Sequence, residues 1–361
     1  MAARKKKRAP ARRRATAAEG PVTLDEALAL ARRRVPATPV RRQALNRRGT
    51  NKPVEREVIN EDRRKLEIAT DAENKRRIAE YRETMRILEK RGAKPSAAAG
   101  GPTRRAAQAP KVIKQPIRVF AEGDSWFDYP VPFFGGGVIP RLQKRLGVPV
   151  LSLAKAGDEV RFMLGVKERK ILDKHLRDGA PSGGAWDALL FSGGGNDIVD
   201  NPMALWIRDF DRAIPLEDHI HPQRFQTALA LVRAGYEDLI EMRDRLTPNT
   251  VLLFNAYDFA IPDGRNICSL GPWLKPTFDL RKFPSQAAGF AVVKEMLTRF
   301  RSMLVTLAAA STRVEVIDTQ GTLNPVVASW HNELHPQKAG FEQFAAKFRD
   351  KLKELFPDRA F

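Results

Sequence analysis

A serine that follows an apolar run is the first feature of this 361-residue sequence that could do chemistry. Gly123, Asp124 and Ser125 come directly after residues 117–120, which have the pattern of a short buried strand. A side chain just beyond a parallel strand points into the crevice where open α/β sheets bind ligands. A serine hydroxyl there is a candidate nucleophile for acyl transfer if a second group takes its proton. The same residue types also form ordinary polar turns, so the tripeptide alone decides nothing.

Three more residues with suitable chemistry occupy corresponding places further along the chain. Gly157 and Asn196 each follow an apolar run, and His335 lies just before the last predicted helix. The carboxyl ends of parallel strands meet at one edge of a sheet, so we expect these residues to lie close to Ser125. The sequence thus predicts a histidine base beside a serine nucleophile.

In this order the four residues resemble the SGNH (or GDSL) hydrolase family, over about residues 116–355. The lettered positions of that family correspond to Ser125, Gly157, Asn196 and His335. The resemblance implies a three-layer α/β/α domain of flavodoxin-like type that hydrolyses esters or thioesters. It says nothing about the N-terminal third of the chain.

Acyl transfer also needs hydrogen-bond donors for the oxyanion of the tetrahedral intermediate. The backbone N–H groups of Ser125 and Gly157 and the side-chain amide of Asn196 are the candidates for this oxyanion hole. Glycine suits the role because a residue without Cβ lets a substrate come close to the backbone. Asp124 and Asp197 flank these motifs, and we expect them to make structural hydrogen bonds rather than to transfer protons.

The third catalytic residue departs from the family pattern. The family usually has an aspartate three residues before the histidine, and here that position is Asn332. In a serine protease the Asp-to-Asn change lowers kcat by about 10⁴, mostly by fixing the wrong histidine tautomer. Three interpretations stay open: a Ser-His-Asn triad, a Ser-His dyad oriented by another acid such as Glu333 or Asp258, or a weakened enzyme. We expect the triad, because the spacing around His335 is otherwise kept.

No cofactor or metal is expected. Residues 193–197 lack the order Gly-x-Gly-x-x-Gly and a following Lys-Ser or Lys-Thr, so they do not predict nucleotide binding. His331 and His335 are four residues apart but lack the His-Glu-x-x-His order of zinc proteases. Five aromatic residues near Ser125 either line an acyl pocket or pack in the core. They are Trp126, Phe127, Tyr129, Phe133 and Phe134.

Five strands that alternate with helices must position these residues. Apolar runs predict strands at 117–120, 149–154, 188–191, 250–254 and 314–317, and amphipathic stretches lie near 138–146, 159–177, 223–246, 288–311 and 337–355. The alternation predicts an α/β fold, a three-layer α/β/α sandwich around a five-stranded parallel sheet. Residues 126–137 and 259–286 do not fit it, and we expect them to wall or cover the crevice.

The N-terminal third is a basic extension of different composition. Residues 1–115 carry about half of the 63 basic side chains but fewer than a third of the 43 acidic ones. Composition predicts four parts. They are a basic, largely disordered arm with a short helix at 1–50, a long charged helix at 51–93, a linker at 94–115 and the hydrolase domain at 116–361.

Two kinds of partner are suggested by this extension. A basic arm attracts nucleic acid or anionic surfaces, so we expect at most a weak contact of this kind through residues 1–50. The helix at 54–91 has a narrow apolar seam, formed by Ile78, Tyr81, Met85 and Leu88. Such a seam docks on the domain or pairs with a second copy.

The chain has one cysteine, Cys268, and no run of the roughly 20 apolar residues that a membrane span needs. No secretory signal is visible either, so we expect a cytoplasmic protein. The sequence therefore predicts a serine esterase, of the esterase or lipase type, that acts on a small-molecule ester or acylated substrate. The alternative is a weak or inactive domain that serves as an interaction protein, whose basic arm binds nucleic acid or an acidic partner.

Overall fold

In the computed structural model the described residues are 54–92, 114–129, 136–266 and 271–361. The predicted arm at 1–50 and most of the linker at 94–115 lie outside them, as do Phe133, Phe134 and Cys268. By its internal contacts the chain divides into two compact units, Met1–Arg77 and Ile78–Phe361. The predicted domain boundaries stay predictions.

A parallel sheet of five strands forms the centre of the unit Ile78–Phe361. The strands are β1 (Val119–Gly123), β2 (Val150–Ser152), β3 (Ala188–Ser192), β4 (Val251–Asn255) and β5 (Val314–Ile317). Their order across the sheet is β2-β1-β3-β4-β5, and every neighbouring pair is parallel. This is the flavodoxin-like order, whose switch point lies between β1 and β3. The predicted α/β class and the five parallel strands are confirmed.

The register brings the carboxyl ends of β1 and β3 level with each other. Phe120 is paired with Leu189, and Gly123, the last residue of β1, is paired with Ser192, the last residue of β3. Every residue of β1, β3 and β4 is buried, as in strands that are covered on both faces. Residues that follow β1 and β3 therefore leave the sheet side by side.

Helices flank the sheet. The helices of the described residues are α1 (Val54–Gly92), α2 (Val138–Leu146), α3 (Val160–Met163), α4 (Val166–Asp178), α5 (Gly195–Ile198), α6 (Pro222–Leu246), α7 (Lys275–Leu280), α8 (Gln286–Ala310) and α9 (Lys338–Leu355). Helices α2 and α9 pack on each other in one layer, whereas α4, α6 and α8 pack in sequence in the other. No helix in the described ranges is both long enough and apolar enough to cross a membrane.

The stretch 159–177, predicted as one amphipathic element, is two helices. The Leu164 N–H donates to the carbonyl of Val160 and closes α3, and Gly165 has extended backbone with ψ 166° before α4 begins. Val160 packs so tightly against Gly235 of α6 that a Cβ at that glycine would collide with it. The predicted single element is thus interrupted at Gly165, and an amphipathic period does not by itself locate such a break.

The predicted seam on helix α1 packs within the unit Ile78–Phe361. Tyr81 and Met85 are buried, and Ile78 and Leu88 are half-buried against the same core. The Tyr81 ring lies 5.6 Å from the ring of Trp186, which precedes β3. This part of the helix therefore docks on the domain, as the sequence suggested. Self-association through residues 54–91 stays a prediction.

The segment before β1 lies beside the segment that follows α9. The Ile117 N–H donates to the Ala360 carbonyl over 3.3 Å, and the Ala360 N–H donates to the Gln115 carbonyl over 2.9 Å. Pro116 and Ala360 form a parallel bridge between these hydrogen bonds. The first and last segments of the domain are thus joined by backbone hydrogen bonds.

Candidate active site

Ser125 lies in the turn that leads away from the carboxyl end of β1. The Asp124 N–H donates to the carbonyl oxygen of Ser192 over 2.9 Å and holds this turn against the end of β3. A Cβ at Gly123 would come within 2.8 Å of the same oxygen. Only a glycine fits here, because the two backbones approach so closely. The glycine thus allows β1 to deliver Ser125 at the switch point of the sheet.

His335 reaches Ser125 from the far end of the chain. Its Nε2 lies 2.7 Å from the Ser125 Oγ. The loop that carries it closes on itself, because Trp330 and Pro336 form an antiparallel bridge and the His331 N–H donates to the His335 carbonyl over 2.8 Å. The predicted nucleophile and base are therefore in hydrogen-bond contact, and both side chains are buried.

Asn332 lies on the other side of the His335 ring. Its Oδ1 is 3.0 Å from the His335 Nδ1, and it also accepts from the backbone N–H groups of Leu334 over 2.9 Å and His335 over 2.8 Å. A backbone N–H only donates, so the atom that faces these groups has to be the amide oxygen. Turning the amide would leave two buried donors unsatisfied, at a cost of about 1–3 kcal/mol each.

The fixed amide oxygen determines the tautomer of His335. An acceptor at Nδ1 places the ring proton on that atom, so the Nε2 lone pair faces the Ser125 hydroxyl. This is the tautomer that a general base needs. The harm done by an asparagine in a serine protease comes mainly from the opposite tautomer. The turn from Asn332 to His335 removes that difficulty here.

Glu333 and Asp258, the alternative acids, have other hydrogen-bond partners. The carboxylate of Glu333 accepts from four backbone N–H groups, of Gly264, Trp273, Leu274 and Lys275, at 2.5–3.0 Å. Asp258 accepts from the N–H groups of Phe259, Gly321 and Leu323 at 2.7–2.8 Å. Both carboxylates hold loops, and the oxygen beside His335 Nδ1 is that of Asn332.

The electrostatic surroundings of His335 favour its neutral form. Burial, with a smaller contribution from His331, lowers the pKa of His335 to about 3. The ring is therefore neutral at neutral pH, which is the form in which its Nε2 can accept a proton. An imidazolium formed during a reaction would be poorly solvated, so its surroundings have to stabilise it.

The proposed oxyanion donors surround the same edge of the sheet. Asn196, in α5, donates from Nδ2 to the Asp158 carbonyl over 2.9 Å, which orients the amide and leaves its second hydrogen for another acceptor. Gly157 has φ +85°, a conformation that favours glycine, and the space that a Cβ would occupy is empty. Asn196, Ser125 and His335 all line one cavity, whereas Gly157 lies outside its lining.

Asp124 is the centre of a buried hydrogen-bond network. It accepts from the Trp126 N–H over 3.0 Å, the Ser192 hydroxyl over 3.1 Å and the Tyr257 hydroxyl over 2.6 Å. Burial raises the pKa of Asp124 to about 7, although these hydrogen bonds oppose the rise. Tyr257 has φ +56° and also accepts from the Gly195 N–H over 3.2 Å. The network joins the turns that carry Ser125 and Asn196.

Asp197 makes a structural hydrogen bond of the kind expected from the sequence. Its Oδ2 accepts from the Val160 N–H over 3.0 Å, at the start of α3. Burial raises the pKa of Asp197 to about 6. The bond connects α5, which carries Asn196, to the loop that carries Gly157.

Two aromatic side chains contact His335, and one of them, Tyr129, is among the five that the sequence suggested for an acyl pocket or the core. The ring of Tyr129 stacks on the imidazole, with a centroid distance of 4.2 Å and an angle of 24°. Trp273 meets the imidazole edge-on at 6.1 Å. The Tyr129 hydroxyl is 3.2 Å from the Asn332 Nδ2 and 3.0 Å from the His331 Nδ1. The sequence offered only one signal for these roles, the density of aromatic residues just after Ser125.

A narrow cavity of about 40 Å³ opens beside the Ser125–His335 pair. Beyond the polar residues its wall is almost entirely apolar. The apolar lining comes from Trp126, Ile198, Val199, Ala260, Leu274, Val293, Met296, Leu297 and Leu334. Of the aromatic residues suggested for an acyl pocket, Trp126 is part of this wall, whereas Phe127 packs against Phe348 in the core. The segment 259–286 contributes Ala260 and Leu274 and so walls the crevice.

No group of three or more His, Cys, Asp or Glu side chains in the described ranges is arranged to hold a metal ion. The His331 ring contacts the Tyr129 hydroxyl, whereas the His335 ring contacts Ser125 and Asn332.

Comparison with known proteins gives matches by structure. No family model matches this chain, and no curated protein matches its sequence. The solved lipase Lip_vut3 from a goat rumen metagenome is 18% identical, covers 65% of this chain and 96% of its own, and has a TM-score of 0.43. A member of the lipolytic G-D-S-L family from Veillonella parvula is 16% identical, with coverages of 65% and 97% and a TM-score of 0.41.

A carbohydrate acetylesterase family member from Sinorhizobium meliloti is 14% identical, covers 67% of this chain and 100% of its own, and has a TM-score of 0.41. The structural neighbours are thus SGNH or GDSL hydrolases and lipases at low identity over about two thirds of the chain. The family that the sequence motifs resemble is thus represented among these structural neighbours. Likeness at this level carries no conclusion about activity, which has to come from the site itself.

Proposed function

We propose that this chain is a serine hydrolase of the SGNH type that cleaves carboxylic esters through an acyl-enzyme on Ser125. One observation carries the proposal. Ser125, His335 and Asn332 form a continuous row of hydrogen bonds, 2.7 Å and 3.0 Å long, at the switch point of a flavodoxin-like sheet. Ligands bind at such points in open α/β sheets.

In the first half of the reaction the Ser125 Oγ attacks the ester carbonyl carbon while the His335 Nε2 takes the hydroxyl proton. The electron pair of the C=O double bond moves to oxygen and gives a tetrahedral oxyanion. When the intermediate collapses, the bond from carbon to the alcohol oxygen breaks. His335 then gives its proton to the departing oxygen. The products are the free alcohol and an ester of Ser125 with the acyl group.

In the second half a water molecule replaces the alcohol. His335 removes one water proton as the water oxygen attacks the acyl carbon, and a second oxyanion forms. Collapse of this intermediate breaks the bond to the Ser125 Oγ, and His335 returns the proton to that oxygen. The carboxylic acid leaves and the enzyme is restored.

Three donors are assigned to the oxyanion: the N–H groups of Ser125 and Gly157 and the second Nδ2 hydrogen of Asn196. The orientation of the Asn196 amide by the Asp158 carbonyl supports this role, because a donor fixed before the reaction does not need to reorganise during it. The left-handed backbone of Gly157 and the open space around it support the approach of a substrate oxygen.

The acyl group is assigned to the apolar cavity, which suits a short chain. The cavity is narrow, about 40 Å³, and its wall beyond the polar residues is almost entirely apolar. An acyl chain there gains about 0.8 kcal/mol for each methylene group that it buries. The alcohol part would remain towards solvent.

Hydrolysis of p-nitrophenyl acetate and butyrate by the purified protein tests the proposal. Ser125→Ala is expected to abolish release of p-nitrophenol, and the native protein, but not the variant, is expected to react with a fluorophosphonate probe. Ser302→Ala, which changes an exposed serine on α8, is the matched control and is expected to keep full activity. Equal rates for the native protein and Ser125→Ala would refute the proposed function and favour the interaction-protein alternative.

A further inference from the structure

Because Asn332 is neutral, the positive charge that forms on His335 in the proposed reaction has no triad carboxylate to stabilise it. When His335 takes the Ser125 proton it becomes a buried imidazolium, and burial disfavours that charge. The oxygen of Asn332 orients the ring but carries no formal charge. Asp258 and Glu333 hold other loops with their carboxylates.

The ring of Tyr129 stacks on the face of the His335 imidazole. The two rings are nearly parallel, with centroids 4.2 Å apart and 24° between their planes. The face of an aromatic ring carries negative charge density, so it attracts a cation above it more than it attracts a neutral ring. The attraction therefore grows as the imidazolium forms. An interaction that is stronger in the transition state than in the ground state raises kcat.

The hydroxyl of Tyr129 extends the row of hydrogen bonds away from Ser125. Because the Asn332 oxygen faces His335, its Nδ2 faces Tyr129 and donates to the hydroxyl oxygen over 3.2 Å. We assign the hydroxyl proton to the bond with the His331 Nδ1, which lies 3.0 Å away, so that this nitrogen is the acceptor. Every donor in this row points in the same direction, from Ser125 through His335, Asn332 and Tyr129 to His331.

A row of hydrogen bonds with one direction polarises cooperatively. When His335 gains a proton, its Nδ1–H becomes a stronger donor to Asn332, whose amide in turn becomes a stronger donor to Tyr129. No proton has to move beyond His335. Part of the positive charge is spread over the row, which a lone asparagine could not do.

We propose, on the basis of the proposed function, that Tyr129 is a positioning residue that stabilises the His335 imidazolium in place of a triad carboxylate. Its ring face stabilises the charge directly, and its hydroxyl links Asn332 to His331. His331 is assigned as the acceptor of the Tyr129 hydroxyl.

Two substitutions separate the ring from the hydroxyl. Tyr129→Phe keeps the stacked ring and removes the hydroxyl, and it is expected to lower kcat on p-nitrophenyl acetate about 3- to 10-fold, as for one neutral hydrogen bond. Tyr129→Leu removes both contributions and is expected to lower kcat about 30- to 100-fold, since a desolvated cation–π contact adds a further factor of about ten. KM is expected to stay within twofold in both variants.

His331 is tested in the same assay. His331→Ala is expected to lower kcat about threefold, as for one weakened hydrogen bond. His331→Asn is expected to restore it, because the asparagine Oδ1 takes nearly the place of the Nδ1 acceptor. The matched controls are Tyr81→Phe and Tyr81→Leu. Tyr81 is also a buried tyrosine, but its ring packs on that of Trp186. Both are expected to keep kcat within twofold.

A double-mutant cycle with Asn332→Asp gives the decisive readout. A carboxylate at position 332 stabilises the imidazolium by itself, so Tyr129→Leu is then expected to lower kcat less than fivefold. An equal loss in both backgrounds would mean that Tyr129 only fills space and would overturn the proposal. A rise in KM with unchanged kcat would make Tyr129 a substrate contact and would also overturn it.

Fluorinated rings keep the test valid if Tyr129→Leu does not fold. Starting from Tyr129→Phe, the mono-, di- and trifluoro analogues at the same position weaken the ring face at nearly constant shape. We expect kcat to fall stepwise along this series, and a flat series would refute the role of the ring. Hydrolysis that survives Ser125→Ala would overturn this proposal together with the proposed function. Ser125-dependent hydrolysis that is insensitive to Tyr129 would overturn this proposal alone.

Discussion

At the scale of single residues, the direction in which the Asn332 amide faces matters more than its lack of charge. The sequence predicts that an asparagine occupies the third catalytic position, and it predicts the spacing to His335. It does not show that the N–H groups of Leu334 and His335 turn the amide oxygen towards the imidazole, because that depends on the shape of the turn. The expected weakness of a Ser-His-Asn triad is therefore reduced to one component, the unbalanced charge of the imidazolium.

A carboxylate at position 332 should change the pH dependence of hydrolysis. His335 acts as a base only when neutral, and its pKa of about 3 keeps it neutral down to strongly acidic pH. In Asn332→Asp a nearby negative charge favours the imidazolium and raises the pKa of His335 by about 1–3 pH units. The acidic limb of the kcat/KM profile is therefore expected to move to higher pH, which a stopped-flow p-nitrophenyl acetate assay measures.

The control for this experiment is Asn324→Asp, which adds the same charge at an exposed asparagine before α9. It is expected to leave the acidic limb in place. If the acidic limb of Asn332→Asp lies at the same pH as that of the native protein, His335 is not the base whose protonation limits the reaction.

Asn196 should contribute to kcat and hardly to KM. Asn196→Ala removes one oriented donor for the oxyanion, so kcat is expected to fall about 100- to 1000-fold. Steady-state kinetics on p-nitrophenyl butyrate measure the two constants separately. Asn201→Ala, at an exposed asparagine nearby, is the matched control. A loss confined to KM would assign Asn196 to substrate binding instead.

At the scale of elements, Glu333 shows how one side chain fixes a whole segment of the site. Four backbone N–H groups from residues 264 and 273–275 donate to its carboxylate, and this places Trp273 beside His335 and Leu274 in the cavity wall. The sequence marked 259–286 as an irregular segment above the crevice. It did not show that Glu333, next to Asn332, holds this segment, since the contacts are 58 to 69 residues apart in sequence.

Glu333→Gln should destabilise the fold. The four backbone N–H groups now donate to two carboxylate oxygens, and a glutamine has only one acceptor oxygen. Its NH₂ group would face the remaining N–H groups, which are also donors. We expect a loss of about 3 kcal/mol in the free energy of unfolding, measured by urea denaturation. Glu354→Gln, at an exposed position of α9, should change it by less than about 0.5 kcal/mol. Equal stabilities of the native protein and Glu333→Gln would show that the carboxylate does not hold this segment.

The strands were predicted from sequence more closely than the short helices. Continuous apolar runs locate all five strands to within about three residues, because strands that are buried on both faces are rich in apolar side chains. Helices α5 and α7 are too short for a periodic pattern, and α3 and α4 are separated at Gly165. An amphipathic period over a longer stretch does not locate such short helices or such a break.

At the scale of the whole molecule, the cavity beside Ser125 is assembled from distant parts of the chain. Its wall combines residues that follow β1, β3 and β4 with α8 and the loop that carries His335. Sequence reasoning looked for an acyl pocket only among the aromatic residues near Ser125. The aliphatic residues of α8 have an ordinary helical pattern, so nothing in the sequence distinguishes them from core residues.

Met296 should limit the length of the acyl chain. Met296→Ala enlarges the apolar end of the cavity, so kcat/KM for p-nitrophenyl hexanoate is expected to rise relative to that for the acetate. Each added methylene that becomes buried is expected to raise this kcat/KM ratio about fourfold, which corresponds to about 0.8 kcal/mol. The ratio of the two substrates cancels any loss of folded protein.

Met303→Ala on the same helix is the matched control, because Met303 is outside the cavity lining. Its substrate ratio should equal that of the native protein. A ratio that does not change in Met296→Ala would place the acyl group outside this cavity.

The separation of Ser125 from His335 has a consequence for the time at which activity begins. The two residues are 210 positions apart. Ribosomes add roughly 5–20 residues per second, so the nucleophile is made about 10–40 s before its base. The segment around Ala360, which is hydrogen-bonded to residues 115 and 117 just before β1, follows later still. During synthesis the chain therefore carries Ser125 for that time without His335, and the hydrogen bond between the two side chains can form only after residue 335 has been made.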